Sequence, residues 1–446
     1  MNALASRPTP PANLLVSDVH VLDPRAGIDS RSDVLVRGGL IAELGAPNTL
    51  QAPPDAEVID GSGRHLFPGF VDPHVHLRTP GQEHKEDLDS GTRAAAAGGY
   101  CAVIAMPNTS PTIDSASVLL ALQESARREA RIPVGFLASV TRGLKGEQLT
   151  EMAELRSCGA IGFTDDGKPV QRAAMLRMAL QYQKLCGGVL ALHEEDPSLS
   201  GNGAMHEGPV SARLGLAGIP SISESTMIAR DAAIARHEQG RIHAQHLSAV
   251  ESVEAVAEAK ARGALITAEA SPHHLTLTHD ALLKSLDTRL KMNPPLRSEV
   301  DRQALISGLL DGTIDCIATD HAPHAREEKE VPFEEAPMGT TGLESAFAVL
   351  YTDLVEPGVL PLALVIEKLT QGAALFDLPV PTVAVGVPAN LTLIDLAREW
   401  EIGEAGYESR SENSCFDGHQ VRGRVLATIA AGAVAYRERT FAVSAA

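Results

Sequence analysis

Two periodicities divide the chain. From Asn13 to about Leu66, apolar and polar residues alternate over short runs, NLLVSDVHVLD, DVLVRGGLIAELG and AEVIDGSGRHLFPG, broken by Gly, Pro and Asp turns. A period of two puts every second side chain on one face, the pattern of half-buried strands. The same texture returns in ANLTLIDLAREWEI (389–402) and VRGRVLATIAAGAVAYRE (421–438). Two such flanks around a different middle predict one small β-sandwich built from both chain ends, residues 1–66 and 385–446. Residues 1–12 carry three prolines and read as loose. The Gly-rich stretch Gly201–Gly208 reads as a mobile loop and takes no chemistry.

The middle, residues 67–384, repeats a different unit. Short apolar runs lie at 69–77, 99–107, 132–140, 159–166, 188–196, 241–248, 264–274 and 314–323. Between them stand stretches of helical period, among them ASVLLALQESARREA, AAMLRMALQYQKL, STMIARDAAIARHE and ESVEAVAEAKAR. Eight strand–helix repeats predict an α/β fold of the (β/α)8 TIM-barrel class. A chain of 446 residues suits one large barrel with an accessory layer. Aromatics are only 3%, so the core must be mostly aliphatic, as barrel interiors are.

Charge narrows the functions. The net charge of −19 repels a phosphate backbone, which argues against nucleic acid. No basic amphipathic stretch, no apolar run of ~20 residues and no basic n-region with an apolar core is present, so neither membrane association nor secretion is expected. Five cysteines lie far apart without a CxxC pair and read as reduced, which fits a cytoplasmic protein.

In a barrel of this class, chemistry gathers at the C-terminal strand ends. There the sequence places His74 and His76, Asn108, Asp165 and Asp166, His193, His246, His273 and His274, and then Asp320, His321 and His324. Sixteen histidines scattered by chance would not favour strand ends so consistently. His74-Val75-His76 presents two imidazoles on one strand face, able to chelate a divalent metal. Alone, that pair reads as two ordinary histidines. With His193 and His246 ending two later strands, it becomes a four-histidine set around one mouth. Arg78 continues the same alternation and could grip an anion. Asp320, in TDHAPH, is placed to act as general base and then general acid toward water at such a metal.

The series GFVDPHVHLR, MPNT (106–109), FTDDG (163–167), HEED (193–196), HLS (246–248), SPHH (271–274), KMNPPLR (291–297) and TDHAPH (319–324) resembles, in order, the motifs of bacterial dihydroorotases of the amidohydrolase superfamily. The resemblance implies a reversible, zinc-dependent cyclisation of N-carbamoyl-L-aspartate to L-dihydroorotate in pyrimidine biosynthesis. It implies that His74, His76 and Asp320 hold a more buried zinc and that His193 and His246 hold a second. Many relatives bridge the two ions with a carboxylated lysine. GAIGFTDDG has no lysine, and the chain is similar to the subgroup with an aspartate there. Family spacing points to Asp166 rather than Asp165, and two ions are expected. Substrate contacts implied are His76, Arg78 for the α-carboxylate with Asn108 and His324 as helpers, Asn293 for the ring amide, and the backbone at Met338 and Gly339. Asn108 could instead cap a turn, and Met338–Gly339 could be only a loop. His273 and His274 could be supports or packing. Two other readings stand beside this one: a cyclic amidase of dihydropyrimidinase or allantoinase type, and a non-catalytic partner of aspartate transcarbamoylase, which the intact ligand set disfavours. A homodimer and an association with that transcarbamoylase are family expectations.

Overall fold

A computed structural model describes residues 4–441 and 444–445. Eight parallel strands follow one another in chain order around the middle of the molecule: Phe70–Val75, Tyr100–Ala105, Val134–Ala138, Gly162–Phe163, Leu190–Leu192, Arg241–Ala244, Leu265–Ala270 and Cys316–Ile317. Each falls inside one of the eight apolar runs. The ring closes where His76 N–H donates to His321 O at 2.9 Å, bridging Val75 and His321. Asp72 reinforces this seam. Its carboxylate accepts from the Thr319 N–H (3.2 Å), the Thr319 hydroxyl (2.5 Å) and the His74 N–H (3.1 Å).

Helices cover the ring, including Leu88–Ala97, Ala116–Glu129, Ala173–Cys186, Ile222–Glu238, Val250–Ala261 and Glu299–Asp311. Leu119, Leu122 and Ala126 on the second of these are buried at helical spacing, so one stripe faces the strands. Each fully buried leucine of this kind contributes about 1.5–3 kcal/mol.

The two flanks join in one nine-stranded hydrogen-bonded network, forked at the strand Leu14–Asp23. That strand pairs antiparallel with Ile28–Arg37 on one side. On the other it pairs parallel with Glu57–Asp60 along its first half and with His65–Pro68 along its second. The chain ends meet where His65–Pro68 pairs antiparallel with Leu391–Ile394. Val16, Val19, Val34, Ile59, Leu391, Leu393 and Ile429 share one buried cluster there. An aromatic cluster lies where this sheet meets the barrel. Phe347 lies 5.6 Å from Phe70 and 5.9 Å from Phe67, ring centre to ring centre.

Two sequence expectations are corrected. Residues 4–12 are tied down, because Ala5 exchanges both backbone hydrogen bonds with Val134 and Ala12 N–H donates to Gly432 O. Prolines at 8, 10 and 11 suit this extended path along the barrel and sheet. The first three residues lie outside the described part. The stretch 201–208 is also held, since Met205–His206 pairs with Gly218–Ile219 and Met205 is buried. Its anchor is Arg297, a buried guanidinium that donates to Ile219 O (2.8 Å) and meets His206 Nδ1 (3.1 Å).

Candidate metal centre

Alternation along the first strand brings the His74 and His76 rings to one side, with centres 5.4 Å apart. Asp320 reaches them from the eighth strand. His76 Nε2 lies 3.2 Å, and His74 Nε2 3.5 Å, from Asp320 Oδ1. Asp166 enters from the fourth strand, 3.5 Å from both the His74 and the His76 Nε2 atoms. His193 Nδ1 and His246 Nε2 face Asp166 Oδ1 at 3.8 and 3.9 Å and lie 2.8 Å from each other. Two ligands held at ~2.0–2.1 Å by a tetrahedral ion sit about 3.3–3.4 Å apart. The separations of His74 and His76 from the two carboxylates, 3.2–3.5 Å, lie near that value, so His74, His76, Asp166 and Asp320 fit a divalent metal, while His193 and His246 stand farther from Asp166 and in hydrogen-bond contact with each other.

Three of the four rings have their outward nitrogen fixed by the protein. His74 Nδ1–H donates to Glu269 at 2.7 Å, His76 Nδ1–H to Asn108 Oδ1 at 3.0 Å, and His193 Nε2–H to Glu195 at 3.0 Å. A donor on one ring nitrogen leaves a lone pair on the other, directed inward. His74 Nε2 is buried and makes no hydrogen bond among the described residues, as a ligand atom would. Electrostatics point the same way. Burial opposes charge on His74, yet Glu269, Asp320 and Asp166 outweigh it and lift its pKa well above the imidazole value. Burial would raise Asp166 and Asp320, but the surrounding histidines, His74 first, pull both well below the usual carboxylate range. His246 is driven down to about 3 by burial and then by His193. The carboxylates thus gather where positive charge is favoured.

Asp165 faces elsewhere. Its Oδ1 accepts from the Val140 and Thr141 N–H groups, and Oδ2 takes the Thr141 hydroxyl, so it fastens the third strand end. Asn108 Nδ2 donates to Asp166 Oδ2 at 3.2 Å, which makes it a bridge between His76 and Asp166.

Above the centre opens a cavity of 240 Å³ lined by His76, Arg78, Asn108, Asp166, His193, His246, Asn293, Asp320, His324, Met338 and Gly339 among others. Of the metal ligands and substrate contacts that the resemblance implies, all but His74 border it, while Asp165, His273, His274 and His321 do not. Arg78 is buried, with Nε held by Pro323 O at 3.0 Å. Burial lowers its pKa to about 10, still cationic at neutral pH. Burial, and then Arg78, push His324 down to about 3, so it stays neutral and donates from Nε2 to Met338 O at 2.9 Å. Gly339 N–H donates to Lys291 O, and its carbonyl accepts from Asn413. Asn293 donates to Glu195 at 2.7 Å. Arg78, His246 and Asp320 take left-handed backbone angles (φ 56°, 33° and 48°), a strain of roughly 1–3 kcal/mol each.

His274 meets Ser271 Oγ at 2.7 Å and donates to Pro294 O at 3.0 Å, which holds the turn carrying Asn293. His273 packs against it, ring centres 4.4 Å apart. Sequence reasoning gave no role to Glu195 or Glu269. Both carried a signal: Glu195 is part of HEED, and Glu269 interrupts the apolar strand LITAEA, where a charge needs a buried partner.

Comparison with known proteins adds three findings. Family models match at residues 63–272 (dihydro-orotase-like) and 223–435 (amidohydrolase family). The chain is 44% identical over 426 residues to a dihydroorotase of a Geobacter species, covering 95% of this chain and 99% of that one. It is 45% identical over 428 residues to a dihydroorotase of Pelotomaculum thermopropionicum, covering 96% and 99%. Among solved structures it superposes on a dihydropyrimidinase from Brevibacillus agri with a TM-score of 0.83 at 25% identity, covering 97% of each chain. An L-hydantoinase from Arthrobacter aurescens superposes at 0.84 with 24% identity, covering 95% and 96%, and shares the fold.

Proposed function

Since this chain belongs to the dihydroorotase family of the amidohydrolases, we propose that it interconverts N-carbamoyl-L-aspartate and L-dihydroorotate using two zinc ions held at the barrel mouth. It is a hydrolase of cyclic amides. The observation that carries the finer reading is the convergence of four imidazoles and two aspartates beneath a cavity with a buried guanidinium on its wall.

His74, His76 and Asp320 would hold the deeper ion, His193 and His246 the outer one, and Asp166 would reach both. Such ions supply Lewis acidity and bring the ionisation of water near neutral pH. The protein's own groups do the rest. Arg78, with Asn108 and His324, orients the substrate carboxylate; a guanidinium fork matches it bidentately. Asn293, fixed by Glu195, turns its amide toward the ring amide. The backbone at Met338 and Gly339, in contact with His324, forms one wall with it. In ring opening, Asp320 takes the proton of the attacking water and delivers it to the departing ring nitrogen. Ring closure reverses these transfers. A positioned acid–base group of this kind accelerates the reaction by about 10²–10⁴-fold.

The cavity wall favours dihydroorotate over uncharged rings such as dihydrouracil or allantoin, because Arg78 would otherwise face the substrate without a counter-charge. No helix among the described residues is long and apolar enough to cross a membrane, and the five cysteines are unpaired. Both fit the cytoplasmic placement we propose.

The test is absorbance-monitored ring opening of L-dihydroorotate before chelation, after chelation and after zinc re-addition, beside Asp320→Ala. Turnover that disappears with chelator, returns with zinc and is absent in the variant is expected. A metal-replete protein without turnover refutes the assignment.

A further inference from the structure

The sheet strands Leu391–Glu401 and Gln420–Ala430 pair antiparallel up to Glu401 opposite Gln420. A hairpin at that point needs two to five residues. The chain instead makes an excursion over residues 402–419, and long connections in compact domains usually serve a function. This one travels from the flanking sheet to the barrel mouth.

Its segment Ser409-Arg410-Ser411-Glu412-Asn413 is fastened to the barrel at every second residue, and Asn413 reaches the site. The Ser409 hydroxyl donates to Glu86, a fully buried carboxylate that also meets His321 Nε2 at 3.3 Å. The Ser411 hydroxyl donates to Lys85 O at 2.6 Å. Asn413, only 4% exposed, is fully engaged. Its Oδ1 accepts the His324 N–H at 3.0 Å. Its Nδ2 donates to Ala322 O and Gly339 O, both at 3.2 Å. Its carbonyl accepts the Thr341 N–H and the Thr340 hydroxyl. Further along, Asp417 accepts from Arg289 at 2.6 Å, close to the turn that carries Asn293.

We propose that Asn413 is a positioning residue for substrate recognition, fixing the His324–Gly339 wall of the cavity from outside the barrel. The eighth-strand turn and the loop of Met338 and Gly339 already meet through Ala322 N–H to Thr340 O at 2.8 Å and His324 Nε2–H to Met338 O at 2.9 Å, and the Asn413 amide adds one group that holds the backbone of both. Without it, the His324 N–H loses its acceptor and the Ala322 and Gly339 carbonyls lose their shared donor, so the wall loosens, while the hydrogen bonds that brace His74 and His76 stay in place. The effect therefore falls on substrate binding and leaves metal binding alone. The proposal rests on the assignment of this wall to the substrate carboxylate.

The experiment compares Asn413→Ala and the isosteric Asn413→Asp with the parent, all zinc-loaded. KM and kcat for L-dihydroorotate, bound zinc per chain and the thermal midpoint are measured. Asp keeps the acceptor for His324 N–H but replaces both amide donors with a charge facing two carbonyl oxygens, so it carries the test if Ala folds poorly. The expected result is a KM raised tenfold or more, kcat changed less than threefold and zinc content unchanged. Folded variants whose KM stays within twofold of the parent overturn the proposal and leave the proposed function standing. Loss of zinc with unchanged KM also overturns it. A parent that does not open dihydroorotate refutes the function itself, an outcome visible before any variant is compared.

Discussion

Glu269 offers the sharpest quantitative expectation. Its Oε1 accepts His74 Nδ1–H at 2.7 Å and the His246 N–H at 3.1 Å, while Oε2 accepts His243 Nε2–H at 3.0 Å. His243 is oriented in turn by the Thr267 hydroxyl at 2.9 Å. One buried carboxylate therefore braces His74, of the deeper position, and the backbone of His246, of the outer one. Burial would raise its pKa, but His74 and His243 hold it down at about 2, so it is an acceptor at every working pH. Glu269→Gln keeps volume and loses one acceptor. Its amide NH2 must face either His74 Nδ1 or His243 Nε2, both of which are donors in the parent. Relief requires a tautomer shift, and in His74 that shift places a proton on the inward Nε2. Losing such an outer partner typically costs 10–100-fold in metal affinity, or ~1.4–2.8 kcal/mol. Competition with a chromophoric chelator reads this directly, without turnover. Zinc affinity in Glu269→Gln within twofold of the parent would refute the argument that Glu269 sets the His74 tautomer.

Three further outcomes are expected. Arg78→Lys, which replaces a planar fork by a point charge, raises KM for dihydroorotate about tenfold or more; steady-state kinetics with unchanged KM would exclude Arg78 from the carboxylate contact. His274 is lowered to about 4 by burial, against ~6.5 in the unfolded chain, so the unfolded state binds the extra proton first. Its share of stability is complete above pH ~6.5 and is lost as pH falls toward about 4; thermal melts of His274→Gln should show a flatter slope than the parent in that window, and an identical slope counts against it. In Gly98→Ala the added Cβ would lie 1.9 Å from Leu343 O, an overpacking worth roughly 1–3 kcal/mol, and calorimetry should find a lower midpoint; an unchanged one would mean that backbone contact yields freely.

The barrel was legible because each strand is a short apolar run ending in polar chemistry, a local signal. All eight observed strands lie within such runs. The forked sheet was legible only in outline, since the pairing of His65–Pro68 with Leu391–Ile394 joins segments some three hundred residues apart. Lone histidines such as His193 and His246 gained meaning only in company. Glu269 and Asn413 escaped because their partners are remote in sequence: Glu269 meets His74 across 195 positions and Asn413 meets Gly339 across 74. The tethering of residues 4–12 was hidden for the same reason, as nothing local marks Ala5 as a strand partner of Val134.

The seam between the first and eighth strands has a kinetic meaning. His76 and Asp320 stand 244 positions apart, and their approach awaits ring closure. Contacts of such separation form late, because loop-closure entropy must be met before they stabilise anything. The nascent chain can shape helices and early strands, but it cannot complete the ligand set until Asp320 has emerged and Thr319 has reached Asp72. On the metal assignment proposed above, ion uptake during refolding is expected to report closure of the ring rather than collapse of the chain.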